Sequence, residues 1–362
     1  MKTAVIRVDA SVEIGTGHVM RCLTLAEDLR SCYDITFITS DYSGHLAEFI
    51  QSKGFNVMML NKSSTKSGKQ DELQHSHWLG GSQEVDAKET LRTMKNINRV
   101  DLLVVDHYAL DYRWETIIKD KVKKIFVIDD LADRKHECDV LLDQNYYLHI
   151  ENRYNDLVDE NCKLLLGPKY ALLRNEFIEA RKKHSFRGGQ VNNTLVFFGG
   201  SDPSNETIKV LNAIDLLRRR DINLDVVVGT SNPNIYEIKE LVDRIPHANY
   251  HYQVSNMAEL MLKADLFIGA GGSTTWERCC LGLASVVINI AKNQVAISEA
   301  VAATGSIINL GYHNEITEID IMETFDSLIN NPKRVLRMSK SCKKLTDEKG
   351  IERVRRALNE VL

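Results

Sequence analysis

Short apolar runs alternate with longer helix-like stretches along this chain, and few folds accommodate that rhythm. Thr3 to Val8, Ile35 to Ile38, Val57 to Leu60, Leu102 to Val105, Ile125 to Ile128 and Val140 to Leu142 read as buried strands. Such alternation predicts a parallel sheet covered by helices. A second series begins at Thr194 to Phe198 and runs through Leu224 to Val228, Asn249 to Gln253, Leu266 to Ile268 and Ser285 to Ile290. The architecture repeats although the sequence does not. At 362 residues the chain has room for two domains of ordinary size. The fold class expected is α/β, two Rossmann-like domains with a cleft between them. Tyr146 to Val191 is less regular, with Gly167-Pro168 and Arg187-Gly188-Gly189, so the junction is placed at its start: residues 1–145, then 146–362. Ile351, Val354, Leu358 and Leu362 share one face of a C-terminal stretch, which predicts a docked amphipathic helix.

In open α/β sheets the carboxyl ends of the strands line the ligand crevice. Several strands here end in polar residues, among them Asp106-His107 and Asp129-Asp130. After the first strand comes Gly15-Thr16-Gly17-His18, and apolar residues then resume at helical spacing from Val19. Glycines let the backbone approach a ligand closely. The positive end of a helix attracts anions and disfavours imidazolium, so a histidine there is expected to stay neutral, as a general base must. His18 is therefore the candidate catalytic residue, with Gly15 and Gly17 beside it. Asp9 and Asp106 are equal candidates for orienting the imidazole or a water. Two plainer readings compete. His18 can simply cap its helix. A Gly-x-Gly after a strand also suggests dinucleotide binding, with Asp41 as the ribose acid, but the third glycine of that fingerprint falls at Met20.

The second series offers two further glycine-rich strand ends. Gly199-Gly200-Ser201-Asp202-Pro203 follows one strand, and Gly269-Ala270-Gly271-Gly272-Ser273-Thr274-Thr275-Trp276-Glu277 follows another. Each offers backbone N–H groups and small hydroxyls that suit phosphate oxygens. Neither is a Walker loop, which disfavours ATP hydrolysis by that mechanism. Glu277, about a turn into its helix, suits both ribose hydroxyls and the helix dipole equally well.

Other classes are excluded on composition. The net charge of −4 and scattered Lys and Arg leave no basic footprint for nucleic acid. No run approaches the ~20 apolar residues of a membrane span, and the first residues lack a signal-peptide core, so a cytoplasmic protein without membrane partners is expected. The seven cysteines form no C-x-x-C pair and read as reduced thiols. Asp71, Glu72, His75 and His77 lack zinc spacing, so no metal is expected there. The polar stretch Asn61 to Gln74 suits a mobile lid.

Taken in order, these residues resemble the hydrolases of pseudaminic acid biosynthesis that act on UDP-2,4-diacetamido-2,4,6-trideoxy-β-L-altropyranose. The likeness lies in Arg7-Val8-Asp9-Ala10 with Ile14 to Cys22, Trp78-Leu79-Gly80, Val105-Asp106-His107-Tyr108 with Trp114-Glu115, and Ile128 to Arg134. It continues through Gln144-Asn145, Leu166 to Arg174, both glycine-rich loops and Asn293-Gln294. The resemblance implies a GT-B architecture, similar to the glycosyltransferase that adds N-acetylglucosamine in peptidoglycan synthesis, with UDP bound chiefly by the C-terminal domain. It implies hydrolysis by water at the anomeric carbon, with inversion and with neither metal nor cofactor. By it His18 is the general base, and Gly200, Ser201, Gly271, Gly272, Ser273 and Thr274 belong to the phosphate-facing turns. Glu277 is the ribose-side acid, Asn293 and Gln294 face the sugar, and Arg21, Asp106 and Tyr108 are carried over as substrate-binding positions. Ala284 departs from the commoner Gly-Leu-Pro of this fold family, which should alter backbone stiffness more than chemistry.

The partners expected are thus a UDP-linked diacetamido sugar and water, with a monomer plausible. Two alternatives remain: an inverting glycosyltransferase, in which the same base deprotonates an alcohol, and a noncatalytic nucleotide-sugar sensor.

Overall fold

The computed structural model describes residues 1–60, 73–97, 99–183 and 187–362. Most of the stretch expected to form a lid, including Asp71 and Glu72, lies outside them. The described chain divides into two compact units, one of residues 1–145, 149–172 and 349–362, the other of residues 146–148 and 173–348.

The first unit is built on seven parallel strands: β1 (Lys2–Val8), β2 (Tyr33–Ser40), β3 (Asn56–Leu60), β4 (Leu102–Asp106), β5 (Ile125–Ile128), β6 (Val140–Asp143) and β7 (Lys163–Leu166). Their order is β3-β2-β1-β4-β5-β6-β7. Alternation along β1 sends Ala4, Ile6 and Val8 into one core and Val5 into the other, so both faces of the sheet are buried. Arg7 shares the face of Val5 and is fully buried, which it tolerates only because Asp9 and Asp86 meet its guanidinium at 2.6 and 2.7 Å.

The second unit carries β8 (Asn193–Phe197), β9 (Asn223–Val228), β10 (Ala248–Tyr252), β11 (Leu266–Ala270), β12 (Ala284–Asn289) and β13 (Ile307–Tyr312). These are also parallel, in the order β10-β9-β8-β11-β12-β13. Each sheet reverses its winding once, between β1 and β4 in the first and between β8 and β11 in the second. Such switch points open a crevice at the carboxyl ends of the strands. The Gly15 to His18 turn and Asp106 flank one; the Gly199 and Gly271 turns flank the other.

The boundary expected after residue 145 differs from this division. β7 pairs with β6 from Val140↔Lys163 to Asp143↔Leu166, extending the first sheet beyond the expected junction. The helix Gly350–Val361 also returns to the first unit, where Ile351, Val354, Ala357 and Leu358 join Val19, Leu23 and Ala26 of the helix Gly17–Leu29 in one core. Its first residue has to be glycine, because a Cβ at Gly350 would run into the backbone of Ala171. Among the described residues, no helix is long and apolar enough to cross a membrane.

Candidate functional site

The turn after β1 closes on itself. Ser11 accepts the Gly15 N–H at 2.9 Å through its carbonyl and the Ile14 N–H at 2.9 Å through its hydroxyl. Gly15 sits at φ +78°, a left-handed backbone that favours glycine. Among the described residues, nothing beyond its immediate neighbours lies within 4 Å of where a Cβ on Gly15 or Gly17 would stand, at the start of the helix Gly17–Leu29. No side chain caps that helix at Thr16.

His18 does not cap the helix either. The parallel register pairs Val8 with Asp106, bringing the end of β4 beside the turn, and His18 Nδ1 lies 2.6 Å from Asp106 Oδ1. Burial alone would push the Asp106 carboxyl up. The Arg21 guanidinium and His18 outweigh that effect and hold it well below the usual carboxylate range. An ionised carboxylate only accepts, so Nδ1 carries a proton, and in the neutral ring the lone pair is then on Nε2. No hydrogen bond among the described residues engages Nε2. Of the two acids, Asp106 is the one that meets the imidazole, whereas Asp9 takes Arg7, the Ser40 N–H at 2.7 Å and His107 at 3.2 Å.

Two of the expected substrate-binding residues, Arg21 and Tyr108, contact this pair. Arg21 donates from Nε to Asp106 Oδ2 at 2.6 Å, from Nη2 to Oδ1 at 2.7 Å and from Nη1 to Asp130 Oδ2 at 2.9 Å. Its fork is spent on two carboxylates, a geometry that a planar guanidinium suits and an ammonium does not. The Tyr108 hydroxyl donates to Asp130, and burial pushes its ionisation well above the ordinary value. Tyr108 is 7% exposed. Its ring instead packs edge-on to His18 with centroids 4.5 Å apart. Sequence reasoning did not single out Asp130 as a site residue, although the Asp129-Asp130 pair at a strand end signalled its place.

In the second unit, Gly271 is fixed by close approach, since a Cβ would meet the Ser298 hydroxyl, Asn289 and Val287. Gly272 lies beside Gln294, whose side-chain oxygen accepts the Ile290 N–H at 3.0 Å, and Asn293 is exposed one residue earlier. Ser273 is exposed and Thr274 half-buried at the start of the helix Thr274–Cys280, whose N-cap residue Ser273 makes no side-chain capping hydrogen bond. Thr274 Oγ1 accepts from Arg278 at 3.1 Å. Gly200 and Ser201 are exposed on the other turn, with Gly200 against Gly229. That turn differs from expectation in one respect. Asp202 accepts the Glu206 and Thr207 N–H groups, each at 2.9 Å, so the helix Glu206–Leu216 is capped by its own chain and offers fewer free donors.

Glu277 receives Arg174 Nε at 2.8 Å on one oxygen, while its other oxygen is buried with no partner among the described residues. Burial pushes the Glu277 carboxyl up, against the pull of Arg174. An orphaned carboxylate oxygen of this kind is an acceptor awaiting a donor, as ribose hydroxyls would be. Arg174 was visible only within the Leu166 to Arg174 motif. Among the described residues, no group of three or more His, Cys, Asp or Glu is placed to hold a metal ion.

The glycosyltransferase family 28 C-terminal domain model matches residues 194–354. The chain is 32% identical over 298 residues to an uncharacterized protein of Methanocaldococcus jannaschii, covering 80% of this chain and 55% of that protein's length. A spore coat polysaccharide biosynthesis protein of Bacillus subtilis is 26% identical, covering 98% of this chain and 97% of its own. The UDP-2,4-diacetamido-2,4,6-trideoxy-β-L-altropyranose hydrolase of Campylobacter jejuni is 25% identical, covering 84% of this chain and 98% of its own. The crystal structure of Acinetobacter baumannii MurG superposes with a TM-score of 0.69 at 12% identity, covering 99% of this chain and all of that one. That likeness shows the fold: two Rossmann-like domains of the GT-B type.

Proposed function

We propose that this protein is a hydrolase that releases UDP from UDP-2,4-diacetamido-2,4,6-trideoxy-β-L-altropyranose, or a close stereoisomer, by attack of water at the anomeric carbon. The observation that carries the reading is His18 Nδ1 on an ionised Asp106 at 2.6 Å, with no hydrogen bond to Nε2 among the described residues. His18 is the general base. Nε2 takes a proton as a water oxygen bonds to the anomeric carbon, the bond from that carbon to the UDP oxygen breaks, and its electron pair leaves on the β-phosphate. Attack opposite the leaving group inverts the anomeric centre. Base catalysis of this kind contributes typically ~10²–10⁴-fold. The diphosphate is a weak base, so stabilising its charge matters more than protonating it. The turns at Gly200-Ser201 and Gly271 to Thr274 supply that stabilisation, Glu277 takes the ribose, and Asn293 and Gln294 face the sugar. No residue in this scheme needs a metal, and Arg21, paired with Asp106 and Asp130, holds the base.

The match to a glycosyltransferase family 28 domain over residues 194–354 favours a second reading, transfer of the sugar to an alcohol by the same base. Turnover of UDP-sugars in 18O-labelled water without any acceptor separates the two. Hydrolysis at carbon puts the label in the released sugar and none in UDP, as mass spectrometry reads directly. Label in UDP would mean attack at phosphorus and sink the mechanism. Turnover that begins only when an alcohol is added would establish the transferase.

A further inference from the structure

Resting on that reading of the site, we infer that Trp78 is the platform on which the sugar's apolar face lies, and so a specificity-determining residue beside His18. The aromatic surface around the base is continuous. Tyr108 meets His18 edge-on at 4.5 Å, Trp78 stacks on Tyr108 at 5.5 Å and 23°, and Trp78 meets His18 edge-on at 6.0 Å. His75 lies 4.5 Å from Trp78 and 5.3 Å from Tyr108.

Tyr108 cannot present its face to a ligand, being buried with its hydroxyl on Asp130. Trp78 and His75 are half-buried, so they hold the open part of this surface. The segment that carries them, Ser76–Leu79 with His75 before it, meets the turn preceding His18 at the exposed His77–Glu13 pair, 3.0 Å apart. Burial, opposed by Asp133, lowers the His75 pKa, which favours a neutral ring in this wall.

The chemistry selects its ligand. The face of an indole carries negative π density and is only a weak hydrogen-bond acceptor, so it favours polarised C–H groups over hydroxyls that would give up water for it. A 6-deoxy sugar replaces a hydroxymethyl group by methyl, and acetamido groups add two more methyls. Such a sugar gains from a tryptophan platform where a fully hydroxylated hexose must strip water from its hydroxyls.

Fluorescence tests this without requiring turnover. The chain has three tryptophans, and Trp114 and Trp276 are only 0% and 2% exposed, which makes Trp78 the one open to a ligand. The free 2,4-diacetamido-2,4,6-trideoxy sugar should change the emission of the wild type and of His18→Ala. The change should be absent from Trp78→Phe and weaker with N-acetylglucosamine. In turnover, Trp78→Ala should raise KM by ~10-fold or more, as loss of uniform binding does, with kcat and its pH profile nearly unchanged. An emission change that persists in Trp78→Phe, no change in the wild type at saturating sugar, or a fall in kcat at constant KM would each overturn the assignment. Emission changes without any hydrolysis would instead sink the hydrolase reading and leave the platform standing.

Discussion

Replacing Asp106 by Asn keeps the size of the side chain and removes the anion that makes His18 Nδ1 a donor. The amide can present its N–H to the ring, which favours the tautomer with the lone pair on Nδ1 and the proton on Nε2, the wrong one for a base. Asp106→Asn should therefore lower kcat by about 10²–10⁴-fold with little change in KM, measured by UDP release. The same substitution carries a stability signature. Folding depresses the Asp106 pKa, so its contribution is fully present above the unfolded value of about 4 and is lost as pH falls through the folded one. In urea titrations the gap between wild type and Asp106→Asn should be widest near neutrality and close progressively in acid; a gap independent of pH would contradict the ionised carboxylate. At this scale His18 was legible because its signal is local, a histidine at the mouth of a glycine turn. Its partner was not. Asp9 and Asp106 end neighbouring strands, and only the burial of Arg7 against Asp9 and the reach of Arg21 to Asp106 distinguish them. The expected neutrality of His18 rested on the helix end alone and left out the carboxylate that fixes its tautomer.

Elements were legible wherever an apolar run announced a strand bounded by polar residues. β5 spans Ile125 to Ile128 as its sequence predicts, and β1 and β9 differ from expectation only at their first residue. β7 and β13 escaped for physical reasons. Lys163–Leu166 is four residues long at the edge of its sheet, and Ile307–Tyr312 carries Asn309 and Gly311 beside a register shift opposite Val287 and Ile288. Periodicity revealed the apolar face of the last helix but not what it covers, because a stripe of Ile, Val and Leu fits any core of matching shape. The structure sends it back to the first unit, where Leu358 is 2% exposed. Leu358→Ala should cost about 2–5 kcal/mol, the usual range for a buried leucine that leaves a cavity. The loss belongs to the unfolding of the first unit, as hydrogen exchange would report for amides of β1 and β4. Protection lost in β8 and β11 instead would contradict the assignment of this helix.

The two units divide the proposed chemistry as they divide the fold, and that division has a measurable consequence for the molecule as a whole. Among the described residues, Asp106 and Arg21 lie within hydrogen-bond distance of His18 and the rings of Tyr108 and Trp78 pack beside it, and all four belong to the first unit. Gly200, Ser201, Gly271 to Thr274 and Glu277 all belong to the second. Each group gathers at the switch point of its own sheet, where strand order alone predicts a ligand crevice. If the second unit holds UDP, then removing the imidazole should leave nucleotide affinity alone while removing the base. His18→Ala should thus lower kcat by ~10²-fold or more, and its Kd for UDP by calorimetry should stay within about twofold of wild type. Glu277→Gln should do the reverse, weakening UDP while retaining much of kcat at saturating substrate. A sensor without catalysis predicts no rate for either variant to lose. Should His18→Ala lose UDP as well, the imidazole would be binding the nucleotide rather than activating water, and the opening turn would be a phosphate site after all.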